Sequence, residues 1–484
     1  MFHIATLVSS FLAAHDATSS DVLQQQCQDT KDEFHELFSN VYERLRHVRR
    51  ALEGCGKSNL FLVVAILALQ RRLVARFHAA VTTHNSLNVL IRFATKRSTL
   101  EKLQEIHQEI DPLFGLLGLR KNAEMTKWRR QWEVQCERMY ALFRGRVGDP
   151  KPIVAQLSNP QIAEILGIMK FEHEFHKNEL EQQQQAKLVY ATMIRILKCS
   201  SVPKISPFFI PPVDLDVKEE RGEIEDTSCT VRQGVYDQET RLIAQYLSAD
   251  NRYARQLFWA ATEIWHGFEH PNVAKIVGES MLLSQPCVVW EDAAAHGNFI
   301  RFFASERGCN QRKLWRMFLQ VGHGLSHIHQ RGGTHGSLKC SHILVDESGT
   351  PKICHFELIN AAVGSVDRWK GPEYNLGKGE DPSKPGDVYA FGLCIIEART
   401  GIIPYGTDCE ESIKNQLEEL ECYPRPDGLR DDEWNVVKRF VAHDPRDRPT
   451  MALAIEMIEE LAWKESFEEK KWREEDQILG HQSK

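Results

Sequence analysis

Apolar residues recur at steps of three and four through the first 198 residues, and the pattern stops at a cluster of prolines. Phe34, Leu37, Val41, Leu45, Val48 and Leu52 fall on one helical face, because a helix turns once in 3.6 residues. The same spacing recurs in Val63, Ile66, Leu73, Phe77 and Val81, in Leu100, Leu103, Ile106, Ile110 and Leu113, and in Met125, Trp128, Trp132, Met139 and Phe143. Gly54 and Gly56, the stretch Thr82–Asn88, Gly115 and Gly118, and Gly145–Pro152 separate these runs. Four amphipathic helices with short connections predict an antiparallel bundle. Asn159-Pro160 opens a fifth helix carrying Ile162, Ile165, Ile168, Phe171 and Phe175, followed by the polar run Glu181–Gln185 that reads as a solvent bridge. The stripe reads as an intramolecular core, with self-association through a coiled coil as the alternative. Arg44, Arg46, Arg49 and Arg50 form a basic cluster, read as a solvated helix face or, alternatively, as a contact for anionic lipid.

Pro203, Pro207, Pro211 and Pro212 forbid a continuous helix and predict an extended linker over residues 199–217. Its Pro-Phe-Phe-Ile-Pro-Pro stretch is apolar enough to dock on a neighbouring surface. Leu60–Leu69 is strongly apolar but far short of the roughly 20 residues that span a bilayer, so it reads as a buried helix. No basic region precedes the apolar Ile4–Ala14, which argues against a signal peptide. The net charge of −7 gives no basis for nucleic-acid binding. Twelve scattered cysteines without a Cys-x-x-Cys pair suit free thiols in a reducing cytoplasm and match no common zinc pattern.

From about Lys218 the pattern changes to short strands, and later to apolar helices. Within that half lies the stretch from His335 to Glu357, HGSLKCSHILVDESGTPKICHFE. It resembles the catalytic and metal-binding loops of the eukaryotic protein kinases, whose signature is His-Arg-Asp-Leu-Lys-x-x-Asn followed by Asp-Phe-Gly. His335, Leu338, Lys339 and Phe356 match. Gly336 takes the arginine, Ser337 the catalytic aspartate, His342 the asparagine, His355 the metal-binding aspartate and Glu357 the glycine. Gly371-Pro-Glu373, the segment Asp387–Gly392 and Arg448 also stand at the family's positions. The resemblance implies a bilobal kinase-like domain over residues 218–463, with His335, Lys339, Phe356, Glu373, Asp387 and Arg448 in structural roles. Glu373 and Arg448 would form a buried ion pair, Asp387 would bond to the loop backbone, and His335 would pack under Phe356. Residues 464–484 read as a charged tail, a solvated helix or disordered. The fold class is therefore α+β, an all-α bundle over residues 1–198 followed by a kinase-like domain.

The same resemblance shows what is missing. The glycine positions of the phosphate loop fall on Ile224, Asp226 and Cys229, whose side chains oppose a triphosphate. Gln245 replaces the phosphate-binding lysine, and Ala261 its glutamate partner. Trp290, at the gatekeeper position, fills space behind an adenine ring. Magnesium prefers oxygen donors, and Ser337, His342 and His355 supply no carboxylate. Ser365 is the only hydroxyl residue between His355 and Glu373, and Gly336 provides no reader for a phosphate there.

These losses imply a catalytically impaired signalling protein of the tyrosine-kinase-like group, without a bound cofactor or metal. Its partners would be other signalling proteins, among them an active kinase, and a second copy through the bundle. One alternative is a divergent serine/threonine kinase using ATP and magnesium. Another follows from similarity to the bundle-plus-kinase architecture of mixed-lineage kinase domain-like proteins: a membrane-perturbing bundle restrained by the kinase-like domain.

Overall fold

The computed structural model describes residues 23–27, 30, 32–54, 60–119, 124–176, 180–198, 205–221, 229–236, 240–247, 262–280, 287–305, 310–354, 366–377, 382–419 and 423–482. Two compact units result, one built on Met1–Asp216, the other on Val217–Met281 and Gln285–Lys484. No helix among the described residues is long and apolar enough to cross a membrane.

The first unit is helical: α1 (His35–Gly54), α2 (Leu60–Ser86), α3 (Val89–Ala94), α4 (Lys96–Leu116), α5 (Glu124–Arg146), α6 (Lys151–Val154), α7 (Asn159–Phe175) and α8 (Leu180–Leu197). The stripe from Phe34 to Leu52 is buried along its length, against α2, α4 and α5. Asn88 separates α2 from α3 by accepting from the amides of Leu90 and Ile91, both at 3.0 Å, as an N-cap side chain does.

Three expectations change in this unit, and the docking of the proline segment is borne out. Leu60–Leu69 is not wholly buried: Val64 and Leu69 are 48% and 45% exposed while Gln70 is buried, because one helix turns only one face to the core. The fifth helix does not continue into the polar run. His176 takes extended backbone and ends α7, and the run lies in α8, where Gln185 donates to the Phe143 carbonyl at 3.2 Å. Phe175 is exposed. The arginine cluster is not one surface. Arg44 lies on the apolar face beside Val41, Leu45 and Val48 and is 1% exposed, ion-paired with Asp111; Arg46 and Arg49 are half-buried and only Arg50 of the four is exposed. The proline segment seats Ile205 and Phe209 in the bundle core, Phe209 edge-on to Phe171 at 5.4 Å, and Lys102 holds Asp214 at 2.8 Å.

The second unit begins with a five-stranded sheet: β1 (Leu215–Arg221), β2 (Cys229–Tyr236), β3 (Thr240–Leu247), β4 (Ile276–Ser280) and β5 (Cys287–Glu291). The strand order is β1-β2-β3-β5-β4, with antiparallel pairing of β2 with β3, β3 with β5 and β4 with β5. A helical body follows, with α9 (Phe299–Ala304), α10 (Leu314–Gln330), α11 (Pro372–Asn375), α12 (Lys384–Thr400), α13 (Glu410–Glu419), α14 (Asp431–Phe440) and α15 (Met451–Gln482), and the hairpin β6 (Ile343–Val345) and β7 (Pro351–Ile353). Helix α12 is buried nearly all round and forms the axis of this core. Gly324 in α10 lets the chain of Asn272 come close; a Cβ there would meet the Asn272 carbonyl at 2.7 Å.

The charged tail is helical, one of the two forms expected for it, but it is not wholly solvated. Helix α15 passes Trp463 without a break, and Glu465, 7% exposed, accepts from the amides of Trp315 and Arg316 at the start of α10, both at 3.1 Å. That carboxylate satisfies amides that no helical carbonyl can reach.

Candidate functional site

The segment between α10 and β6 is held from below by the first turn of α12. Asp387, 2% exposed, accepts from the amides of His335 and Gly336, each at 2.8 Å, and from His329 Nε2 at 2.8 Å. Gly336 adopts φ +77°, a left-handed conformation that a side chain resists.

His335 is 1% exposed. Its Nδ1 accepts from the Ser337 amide at 3.2 Å, so its Nε2 carries the proton and donates to the Cys354 carbonyl at 3.0 Å. Burial pushes its pKa down to about 4, against an opposing pull from Asp387. His342, 3% exposed, donates from Nδ1 to the Ser337 carbonyl at 2.7 Å. The two rings lie 6.4 Å apart at 29°. Both imidazoles therefore brace the loop around Ser337.

Lys339 Nζ lies 3.9 Å from Asp367 and over the Trp369 ring at 5.2 Å. Asp367 is fixed by Asn375, which accepts from its amide and donates to its carbonyl, each at 3.0 Å. Ser337, Asp367, Lys370 and Glu373 line one shallow surface pocket with room for little more than a water molecule, about 10 Å³. Sequence reading passed over Asp367. The available signal was that it is the only acidic residue between Glu357 and Glu373. Below the cavity, Arg448 forms a two-point pair with Glu373, at 2.7 and 2.8 Å, and donates to the carbonyls of Ala442, Pro385 and His443 at 2.8–3.1 Å.

In the sheet, Trp290 is 2% exposed on β5, opposite Ile243 and Ile276. Gln245 lies on β3 in register with Val231 and Val288, and Cys229 begins β2 opposite Leu247; the side chains of Gln245 and Cys229 are not among those described. Ile224, Asp226, Ala261, His355, Phe356 and Ser365 lie outside the described residues. The structure thus brings together Ser337, Lys339, His335, His342, Asp387, Glu373 and Arg448, and adds Asp367.

Residues 221–458 match the family model of protein tyrosine and serine/threonine kinases. The chain is similar to the serine/threonine-protein kinase STY46 of Arabidopsis thaliana, 24% identical over 234 residues, 46% of this chain and 39% of that one. It is also similar to two probable serine/threonine-protein kinases of Dictyostelium discoideum. One, kinX, is 26% identical over 201 residues, 38% of this chain and 17% of its own length. The other is 24% identical over 201 residues, 40% of this chain and 22% of its own. The chain therefore spans between 17% and 39% of the length of these curated relatives. The sheet, the helical body and this match define the C-terminal half as a protein kinase domain, preceded by a helical region.

Proposed function

We propose that the chain is a catalytically impaired protein-kinase-like signalling protein of the tyrosine-kinase-like group, acting in the cytoplasm as a scaffold or allosteric partner through protein–protein contacts. One observation carries this reading. Asp387 and the Glu373–Arg448 pair hold the loop and its surroundings in place, yet the loop presents Ser337 and His342 where the family presents a carboxylate and an amide. Phosphoryl transfer depends on charge placed against the phosphates and on a group that orients the attacking hydroxyl. Removing one such contact costs about 2.7–4 kcal/mol of transition-state stabilisation, by comparison with oxyanion donors.

A second reading, a divergent serine/threonine kinase, draws on Asp367. Its carboxylate lines the same cavity as Ser337 and lies 3.9 Å from Lys339.

Thermal unfolding of the full chain with saturating ATP and magnesium separates the two. The scaffold reading expects a midpoint within about 1 °C of the free protein, because a ligand stabilises only what it binds. A rise of several degrees, with transfer of label from ATP that Asp367→Asn abolishes, overturns it in favour of the kinase.

A further inference from the structure

Beneath the loop lies a second group of side chains that the functional reading does not use. Cys340 sits in a single 3-10 turn, Cys340–His342, directly after Lys339. Cys394 and Glu397 stand three apart on one face of α12. All three are buried, the two cysteines at 0% exposure and Glu397 at 4%. Their donor atoms, two sulfurs and one carboxylate oxygen, lie within 4.8 Å of one another.

We propose that Cys340, Cys394 and Glu397 form an interior site for a thiophilic divalent cation, zinc by its chemistry, which ties the loop carrying Ser337 and His342 to the central helix. The dimensions suit it. Zinc–sulfur bonds of about 2.3 Å at a tetrahedral angle place two sulfurs about 3.8 Å apart, inside the observed spread. Three protein donors leave one position of a tetrahedral ion for a small ligand.

A buried carboxylate is costly unless it is paired or holds a metal. Among the described contacts, Glu397 Oε2 accepts from Trp369 Nε1 at 3.0 Å, and Cys340 Sγ donates to the Cys394 carbonyl at 3.2 Å. Uptake of Zn²⁺ as the thiolate complex releases both thiol protons to solvent. Two thiolates, one carboxylate and the ion then sum to one negative charge. Because protons leave, affinity falls as the pH falls. The site is independent of whether the domain transfers phosphate.

Two measurements on the purified full chain test this. After refolding in zinc and gel filtration with a chelator, elemental analysis is expected to find about one zinc per chain, and background levels in Cys340→Ser and Cys394→Ser. Cys409→Ser, which removes an exposed thiol, is expected to retain the metal. Wild-type protein loaded with cobalt is expected to show thiolate-to-cobalt absorption of two-sulfur intensity, a readout that does not depend on the variants folding. Wild type without metal, a cobalt spectrum of any other thiolate count, or folded variants that keep their zinc each overturn the proposal.

Discussion

Replacing Arg44 with methionine tests the assignment of the bundle core most sharply, because a surface arginine and a buried one predict different outcomes. Arg44 Nη1 reaches both the carbonyl and Nδ1 of His107 at 2.9 Å, Nη2 pairs with Asp111, and the guanidinium lies 5.3 Å from the Phe114 ring centre and 5.4 Å from that of Trp128. Methionine keeps much of the apolar stem and removes the charge and its donors. Breaking one side of a buried pair costs about 3–5 kcal/mol, mainly through the partner left behind. Asp111 keeps Arg129 and an indole contact from Trp128, which places the loss toward the lower end. For a cooperative unit of 150–250 residues each kcal/mol shifts the midpoint by about 2–4 °C, so Arg44→Met is expected to lower it by about 6–12 °C. Arg50→Met, on the exposed side of the same helix, is expected to stay within about 0.5 kcal/mol of wild type. Circular dichroism of the full chain during heating, with urea midpoints alongside, reads both variants. Equal, small shifts for the two would refute the placement of Arg44 in the core.

Two further outcomes follow from the same physics. Arg448→Met leaves Glu373 with its two-point partner removed and three carbonyls without their donor, and is expected to destabilise the kinase domain by about 3–5 kcal/mol, measured by urea unfolding. Acid is expected to destabilise both units through His107 and His335, whose pKa values burial pushes down to about 3 and about 4. The unfolded chain takes up these protons near pH 6.5 and the folded one does not. The stability they confer is therefore complete above about pH 6.5 and declines toward pH 4 and 3, by about 2 kcal/mol per histidine at pH 5. Urea midpoints at pH 7 and pH 5 check this, and His107→Gln is expected to remove the bundle's share.

The periodicity of the first unit was legible because burying one helical face requires apolar residues at steps of three and four. Even Arg44 carried a signal, since it stands three residues after Val41 and four before Val48. Its charge drew it instead toward a surface reading. The kinase domain was legible through short local motifs whose spacing is set by one loop or one helix turn, as in Gly371-Pro-Glu373 or the segment that opens α12.

What the sequence alone determined was therefore the local kind of structure: helices in the first 198 residues, a break at the prolines, and a kinase-like order of motifs lacking their usual polar residues. Only the tertiary structure decided which groups meet. Asp367 reaches Lys339 from 28 positions away, and Cys340 reaches Cys394 from 54. No residue spacing encodes such meetings, because they arise from the folding-back of whole elements around α12. The same holds for Glu465, whose carboxylate looks like part of a solvated tail until α15 carries it to the amides that open α10.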